Sequence, residues 1–363
     1  MIRKLLFLLF LLAAIFAQAQ DHKKQEKQKE DKRVNYAFIP IIMYNSSFGM
    51  QFGAMANAYF DLNKNDSISP ASSVAFYGSV YTNKTLFVGV FNKLYFNEDR
   101  WRTKFGIGFG NINFQTYFEF PSGVPGLPEG GEFVDYKTQM TFLYGEGVRL
   151  VADRFYLGAR LVYSSVNTEF DTDIIPDESL NLFGMGLASE YDKRDNVFNP
   201  HMGFNAKLNT FSFFEELGST ETYHKIDIAY NKYFPLSDHS TLLARLFVDV
   251  AFGENVPFNG KNTVGRDDLR GYSNGKYRAS QVYDIQSEYR WNFYKKWGMV
   301  AFGGLAIATD DFQGKNYSGI LPAVGAGLRF KAIPKRNINI GIDFAVGKGD
   351  WGIYFRIGEA FLR

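Results

Sequence analysis

The chain contains no cysteine. Disulfide staples, thiolate metal sites and a cysteine nucleophile are therefore excluded, as is lipid attachment to a cysteine behind the apolar start. Histidine is scarce: His22, His201, His224 and His239 are the full set. No serine-centred hydrolase motif accompanies any of them, although Ser219 and Thr220 lie near His224. After residue 19 no apolar run approaches the length of a membrane helix. An excess of one charge is missing too. Of the net +2, Arg3 and Lys4 supply +2 and residues 20–34 another +2, which leaves the rest of the chain at −2. With no basic domain to hold phosphates, no nucleic-acid partner is expected.

Aromatic residues and glycine are abundant: 37 Phe, 22 Tyr and 35 Gly. The hydrophobic fraction is 46%, yet the mean hydropathy is only −0.20. Such a balance suits a membrane β-barrel, whose strands present one apolar face and one wet face. The first residues, MIRKLLFLLFLLAAIFAQAQ, have a basic start, an apolar stretch and a small-residue cleavage site at Ala17-Gln18-Ala19. Residues 1–19 thus read as a secretory signal peptide. Residues 20–34, QDHKKQEKQKEDKRV, read as a charged periplasmic tether without apolar periodicity. Residues 35–363 are left for the barrel.

From residue 35 onward the pattern repeats every two residues. In YDIQSEYRWNF, Tyr283, Ile285, Tyr289, Trp291 and Phe293 alternate with Asp284, Gln286, Glu288, Arg290 and Asn292. In NINIGIDFAVG, Ile338, Ile340, Ile342, Phe344 and Val346 oppose Asn337, Asn339 and Asp343. KIDIAYNKYF and STLLARLFVDV behave alike. Alternation of this kind marks strands with lipid on one face and water on the other. Counting segments predicts about sixteen antiparallel strands, an even number that lets a barrel close with both termini on one side. Closure is needed because an open sheet edge in lipid leaves backbone groups unpaired. Every second link is short (97–100, 152–154, 235–240, 293–298), and the alternate links include long ones at 113–137, 165–181, 254–280 and 308–319. A secreted sandwich or propeller tolerates the same alternation, but no blade repeat is visible.

The link 254–280 is the sixth outer loop on this count, and it contains NTVGRDDLRGYSNGKYRASQ. Within it, Leu269-Arg270-Gly271-Tyr272 resembles the Val-Arg-Gly-Phe/Tyr motif of the BamA/TamA-like outer-membrane barrels, the bacterial surface antigen family. Three more stretches agree in order. YDKRDNVFNPHMGF resembles the family's turn between two strands, with Asp192, Arg194, Asp195, Pro200 and Gly203 on its pattern. SQVYDIQSEYRW resembles the strand after the loop and places Glu288 where the family has an acidic partner. GDWGIYFRIGEAF resembles the closing strand with its terminal aromatic. The resemblance covers residues 35–363.

It implies a plug loop folded into the lumen, with Arg270 meeting inner-wall carboxylates. Glu288, Asp343 and Asp284 are the candidates. The family's next strand often supplies a second acid; here Gly303 and Gly304 occupy about that position, which leaves Asp343 as the substitute. It also implies a C-terminal assembly signal, with Ile353, Phe355, Ile357 and Phe361 on the outward face and Tyr354, Arg356 and Gly358 inward. The assembly and secretion members carry periplasmic substrate-binding repeats, which residues 20–34 are too short to hold, so a barrel-only member is expected.

GIGFG (Gly106, Gly108, Gly110) is read as space-saving on the inner wall, not as a nucleotide loop. The cluster Asp171, Asp173, Asp177 and Glu178 fits no EF-hand spacing and is read as a solvated loop, and PSGVPGLPEGG (121–131) as an outer crown. No metal or cofactor is expected. The expected protein is an integral outer-membrane barrel in contact with membrane lipids, and with the barrel-assembly machinery during biogenesis. It would pass or insert a polypeptide or lipid. A narrow diffusion channel is the alternative reading, and a lipid-modifying enzyme a more distant one.

Overall fold

The alternating segments form sixteen long strands of one hydrogen-bonded sheet. The structure is a computed structural model that describes residues 34–45, 49–119, 131–265, 268–272, 276–310 and 318–361. The expected signal peptide and nearly all of the expected tether lie outside the described residues, as do positions 121–130, Arg266 and Asp267.

The first half of the sheet is β1 (Val34–Asn45), β2 (Gly49–Phe60), β3 (Ser72–Tyr81), β4 (Leu86–Phe96), β5 (Trp101–Glu119), β6 (Gly131–Ala152), β7 (Phe155–Phe170) and β8 (Glu178–Asp192). It continues with β9 (Gly203–Phe213), β10 (Tyr223–Ser237) and β11 (Ser240–Phe252). A small hairpin, β12 (Asn262–Thr263) with β13 (Arg278–Ala279), belongs to the sixth loop. The wall resumes with β14 (Gln281–Tyr294), β15 (Trp297–Thr309), β16 (Leu321–Ile333), β17 (Ile338–Gly347) and β18 (Asp350–Ile357). Neighbours along the chain pair antiparallel, and β11 pairs with β14 across the loop. The order runs from β1 to β18, and the sheet curls into a nearly closed barrel. Ala37 of β1 shares an apolar cluster with Ile338 of β17, and Ile357 of β18 packs against it.

The alternation sorts the side chains as expected. On β14, Tyr283, Ile285, Tyr289, Trp291 and Phe293 are exposed, while Asp284, Gln286, Glu288 and Arg290 are buried. On β5, Phe105, Ile107 and Phe109 face outward. Gly106 and Gly108 face inward beneath aromatic rings. A Cβ on Gly106 would lie 2.9 Å from Phe91, and one on Gly108 2.5 Å from Phe142. The glycine track therefore makes room for rings inside the barrel, the space-saving role read from GIGFG.

Two outer links differ from expectation. The link 113–137 is largely strand, since β5 runs to Glu119 and β6 begins at Gly131. Likewise, β7 and β8 consume most of 165–181. Above the lipid the outward face becomes polar, so the apolar half of the alternation disappears while the ladder continues. The buried half persists at Phe114, Thr116, Val134, Tyr136, Thr138, Val166 and Thr168.

The closing segment also differs. β18 ends at Ile357, and Gly358 takes a left-handed φ of 94°. Phe361 was expected on the outward face at the interface. Instead it turns inward, 1% exposed, and clusters with the inward-facing Tyr233 and Leu243. The reversal at Gly358 breaks the period on which the outward assignment of Phe361 rested.

Candidate functional site: an arginine-centred plug inside the barrel

The sixth loop enters the lumen because its apolar residues find an apolar seat there. Leu269 and Tyr272 pack with Val264, Ala279, Val282, Ala306, Ala308, Leu321 and Ala323, mostly small inner-wall side chains. Gly304 is part of that seat, since a Cβ there would meet Leu269 at 2.9 Å. The glycine found where a second acid was sought thus accommodates the loop's leucine. Gly271 has φ +117°, and a Cβ would lie 2.9 Å from the Val346 carbonyl of β17. A glycine is needed there for backbone conformation and for close approach alike. The Gly271 N–H donates to the Tyr354 hydroxyl (2.8 Å), and the Tyr272 hydroxyl donates to the Pro322 carbonyl (2.7 Å).

This seat carries Arg270 to the inner wall. Its side chain is fully buried, as are those of Glu288 and Asp343. Arg270 Nη2 lies 2.5 Å from Glu288 Oε2, and Nη1 lies 2.7 Å from Asp343 Oδ2. Nη2 also donates to Gln286 Oε1 (3.1 Å), and the guanidinium stacks on the Phe302 ring at 3.3 Å. Two of the three candidate acids therefore meet Arg270. Asp284, buried on the same face of β14, is not among its partners.

The arginine belongs to a larger network. Asp343 also accepts from Arg329 Nη1 (2.5 Å) and Arg356 Nε (2.9 Å). Glu288 accepts from Arg290 Nε (2.7 Å). Glu359, beyond the end of β18, accepts from Arg329 Nε (2.9 Å) and Asn339 Nδ2 (2.7 Å). Phe361 faces the Arg270 and Arg245 guanidinium groups at 5.3 and 5.0 Å. Glu359 and Phe361 thus join the plug from the closing end of the chain. The sequence offered a signal for neither: Glu359 falls at an outward position by the alternation, and Phe361 was placed on the outward face.

A second anchor holds the loop to the opposite wall. The Glu178 carboxylate accepts from the Phe258 N–H (2.8 Å) and the Asn259 side chain (2.9 Å). Phe258 sits 5.2 Å from Tyr136 and 5.0 Å from Phe170, ring centre to ring centre. Glu178 was read as a member of a solvated acidic cluster. Here it pins the loop, and Asp177 accepts from the Phe170 N–H (3.0 Å). Among the described residues no grouping of acidic or histidine side chains has the arrangement of a metal site.

The turn motif has its own geometry. Asp192 holds Arg194 through Nε (2.7 Å) and Nη2 (2.8 Å) and accepts from Arg102 Nη1 (2.7 Å). Burial disfavours an isolated Arg194 charge, but the Asp192 carboxylate and its hydrogen bonds outweigh that and raise its pKa above the ordinary arginine value. Asp195 accepts from the His201 N–H (2.9 Å) and the Met202 N–H (3.2 Å), which closes the turn around Pro200. Gly203 has φ +97°, and a Cβ would collide with the Lys193 carbonyl. At the tip, Phe198 packs edge-on against Tyr59 at 5.6 Å, beneath the cluster that joins β1 to β17. The sequence reading missed Arg102, Asp99 and Glu190. Arg102 contacts all three acids, Asp99 (2.7 Å), Glu190 (3.2 Å) and Asp192. Glu190 lies two residues before Asp192, so its inward position was available from the alternation.

His224 Nδ1 lies 2.9 Å from the Ser212 hydroxyl, whereas Ser219 bonds to the backbone of Phe183. No carboxylate joins the Ser212–His224 pair among the described residues, so it lacks the third member of a hydrolase triad.

A transmembrane barrel whose lumen holds an inward-folded, arginine-anchored loop is the object that fold and site define. The Omp85 superfamily domain matches residues 71–361, and the chain belongs to that superfamily. It is an outer-membrane β-barrel. Similar solved folds include BamA from Haemophilus ducreyi lacking POTRA domains 1–3, at 15% identity and TM-score 0.55, covering 93% of this chain and 73% of that one. CdiB from Acinetobacter baumannii matches at 13% identity and TM-score 0.57, covering 90% and 60%. CdiB from Escherichia coli matches at 12% identity and TM-score 0.57, covering 92% and 64%. The chain therefore spans less than two thirds of either CdiB, and at these identities the likeness is one of fold. No curated protein sequence matches.

Proposed function

We propose that this barrel inserts or translocates a polypeptide or lipid at the outer membrane, without catalysing a covalent step. It would act at its wall, with outer-membrane lipids and, during biogenesis, the assembly machinery as partners. One observation carries the reading: the plug is tied to the closing edge of the sheet. Asp343 of β17 holds Arg270 of the loop and Arg356 of β18 together, and Glu359 and Phe361 beyond β18 pack into the same cluster. A change at the edge strand is therefore felt by the plug, and the reverse. A protein that works by opening its wall needs such coupling, and a passive pore does not.

The test compares the intact protein with one lacking residues 262–279, in planar bilayers and in liposomes that receive an unfolded second barrel protein. Accelerated insertion of that client by the intact protein, lost when an engineered disulfide joins β1 to β18, supports the proposal. Steady conductance of the intact protein, with no effect on client insertion, would instead establish the diffusion-channel reading.

A further inference from the structure

On the side of the barrel opposite the sixth loop, the turn between β8 and β9 reaches across the lumen. Those strands are the eighth and ninth of the sixteen, while β1 and β17 are the first and fifteenth. About half the circumference therefore separates the root of the turn from the ends of the sheet. The tip nevertheless meets them. Phe198 packs edge-on against Tyr59 of β2 at 5.6 Å and joins a cluster of Ala37 (β1), Tyr59, Ile333 (β16) and Ile338 (β17). Ile357 of β18 packs against the same cluster. Asn337, between β16 and β17, donates from Nδ2 to the Asn199 carbonyl at 3.3 Å. The turn thus spans the periplasmic mouth from one wall to the other.

The arm is built to be stiff and its root is fixed. Asp192 grips Arg194 and Arg102 at the base. The Asn196 side-chain oxygen accepts from the N–H groups of Phe198 and Asn199, both at 2.9 Å. The Asp195 carboxylate accepts from those of His201 and Met202. Such local bonds hold a turn in one conformation. The His201 ring bonds the Thr241 hydroxyl of β11. The surface that receives the tip is different in kind, because five strands from both ends of the sheet contribute to it. A second tie joins those ends at the same level. Arg336 Nη1 and Nη2 donate to Asp61 Oδ1 and Oδ2 at 2.8 and 2.9 Å, which links the β16–β17 turn to the β2–β3 turn. Asp61 is half exposed, so water and salt weaken that pair. The Phe198 contact is apolar and does not depend on charge.

We propose that the β8–β9 turn is a strut that holds the two ends of the sheet together at the periplasmic mouth. Ala37 and Tyr59 on one side, and Ile333, Ile338 and Ile357 on the other, share the Phe198 ring. Exclusion of water drives such side chains together, and the ring covers apolar surface that each end would otherwise expose. Because the arm is anchored on β8, β9 and β11, separation of the ends draws the wall away from Phe198 and leaves the turn in place. The strut therefore biases this end of the wall toward the closed state, while the Asp343 network acts at the level of the plug. Its use in the cycle rests on the reading that the wall opens. The contact itself is tested with no client present, so the two ideas fail separately.

The test uses the full chain, whose lack of cysteine allows spin labels to be placed in pairs without background. Phe38→Cys and Leu328→Cys, exposed on β1 and β16, straddle the two ends of the sheet. Phe105→Cys and Met185→Cys, exposed on one rung of β5 and β8, form the control pair within continuous sheet. Each pair is three strand steps apart, about 14 Å at the usual strand spacing. Distances are read by electron paramagnetic resonance in nanodiscs. Phe198→Ala should at least double the width of the Phe38–Leu328 distribution and leave the control pair unchanged. Phe198→Leu, which keeps an apolar tip, should restore most of the narrow distribution. Unboiled gel migration confirms that both variants fold. An unchanged Phe38–Leu328 distribution in Phe198→Ala, equal broadening of both pairs, or no recovery in Phe198→Leu would overturn the strut. Absence of client insertion by a protein that passes this test would refute the proposed function and leave the strut standing.

Discussion

Asp343 faces three guanidinium groups: Arg270 Nη1 at 2.7 Å, Arg329 Nη1 at 2.5 Å and Arg356 Nε at 2.9 Å. Replacing it by Asn removes the charge that holds them together while leaving the side-chain volume nearly intact. Breaking a fully buried pair by removing one partner costs about 3–5 kcal/mol, chiefly through the charge left behind. Arg270 retains Glu288 and Arg329 retains Glu359, which places the expected loss near the lower bound, at about 3 kcal/mol. Arg270→Ala should behave differently. Glu288 keeps Arg290, and Asp343 keeps Arg329 and Arg356, so no carboxylate is stranded. The cost should then be about 1.5–3 kcal/mol, the range for a lost hydrogen bond to a charged group. The readouts therefore separate. Urea unfolding in detergent, followed by tryptophan fluorescence, should rank Asp343→Asn as the less stable variant. Trypsin cleavage of the folded barrel at Lys276 or Arg278 should rank Arg270→Ala as the one with the looser loop. If Arg270→Ala unfolded more easily than Asp343→Asn, the redundancy assigned to this network would be refuted.

Arg270→Ala and Glu288→Gln should combine less than additively in the same unfolding assay, because the two side chains share one contact; full additivity would mean they act apart. Phe355→Lys puts a charge on the lipid face of β18, at about 2–4 kcal/mol near the midplane, and should reduce recovery of folded protein in the outer membrane, whereas Arg356→Lys on the lumen face should be much milder. An inverted result would mean the faces of β18 are reversed. Phe361→Ala should speed the same trypsin cleavage of the sixth loop, since the ring packs against the plug; unchanged cleavage would show that the inward turn does not support it. Carbonate- and urea-washed membranes should retain the protein, and its recovery in a soluble fraction would contradict the barrel.

The sequence by itself determined the number of strands and, along most of the wall, their faces. The determinant is local: lipid on one side and water on the other impose a two-residue period, and every stretch of wall must satisfy it. The charged, glycine-bearing run that interrupts that period drew attention to the loop, and Leu269, Arg270, Gly271 and Tyr272 were legible within it through their resemblance to the family's motif. The tertiary structure decided which charges meet. Glu288 lies 18 residues from Arg270 and Asp343 lies 73 away, and only curling of the sheet brings β17 opposite the loop. Nothing in the residues around Asp284 separates it from Glu288 as a partner, because both point inward on one strand. The length of β5 to β8 was hidden for the opposite reason: above the lipid no solvent difference marks the outward face, so strands continue without an apolar signature. Phe361 shows the same limit at the end of the wall. The chain leaves the strand at the left-handed Gly358, and the segment beyond it is held through Glu359 by Arg329, Arg290 and Asn339, residues distant in sequence and gathered only by the curled sheet.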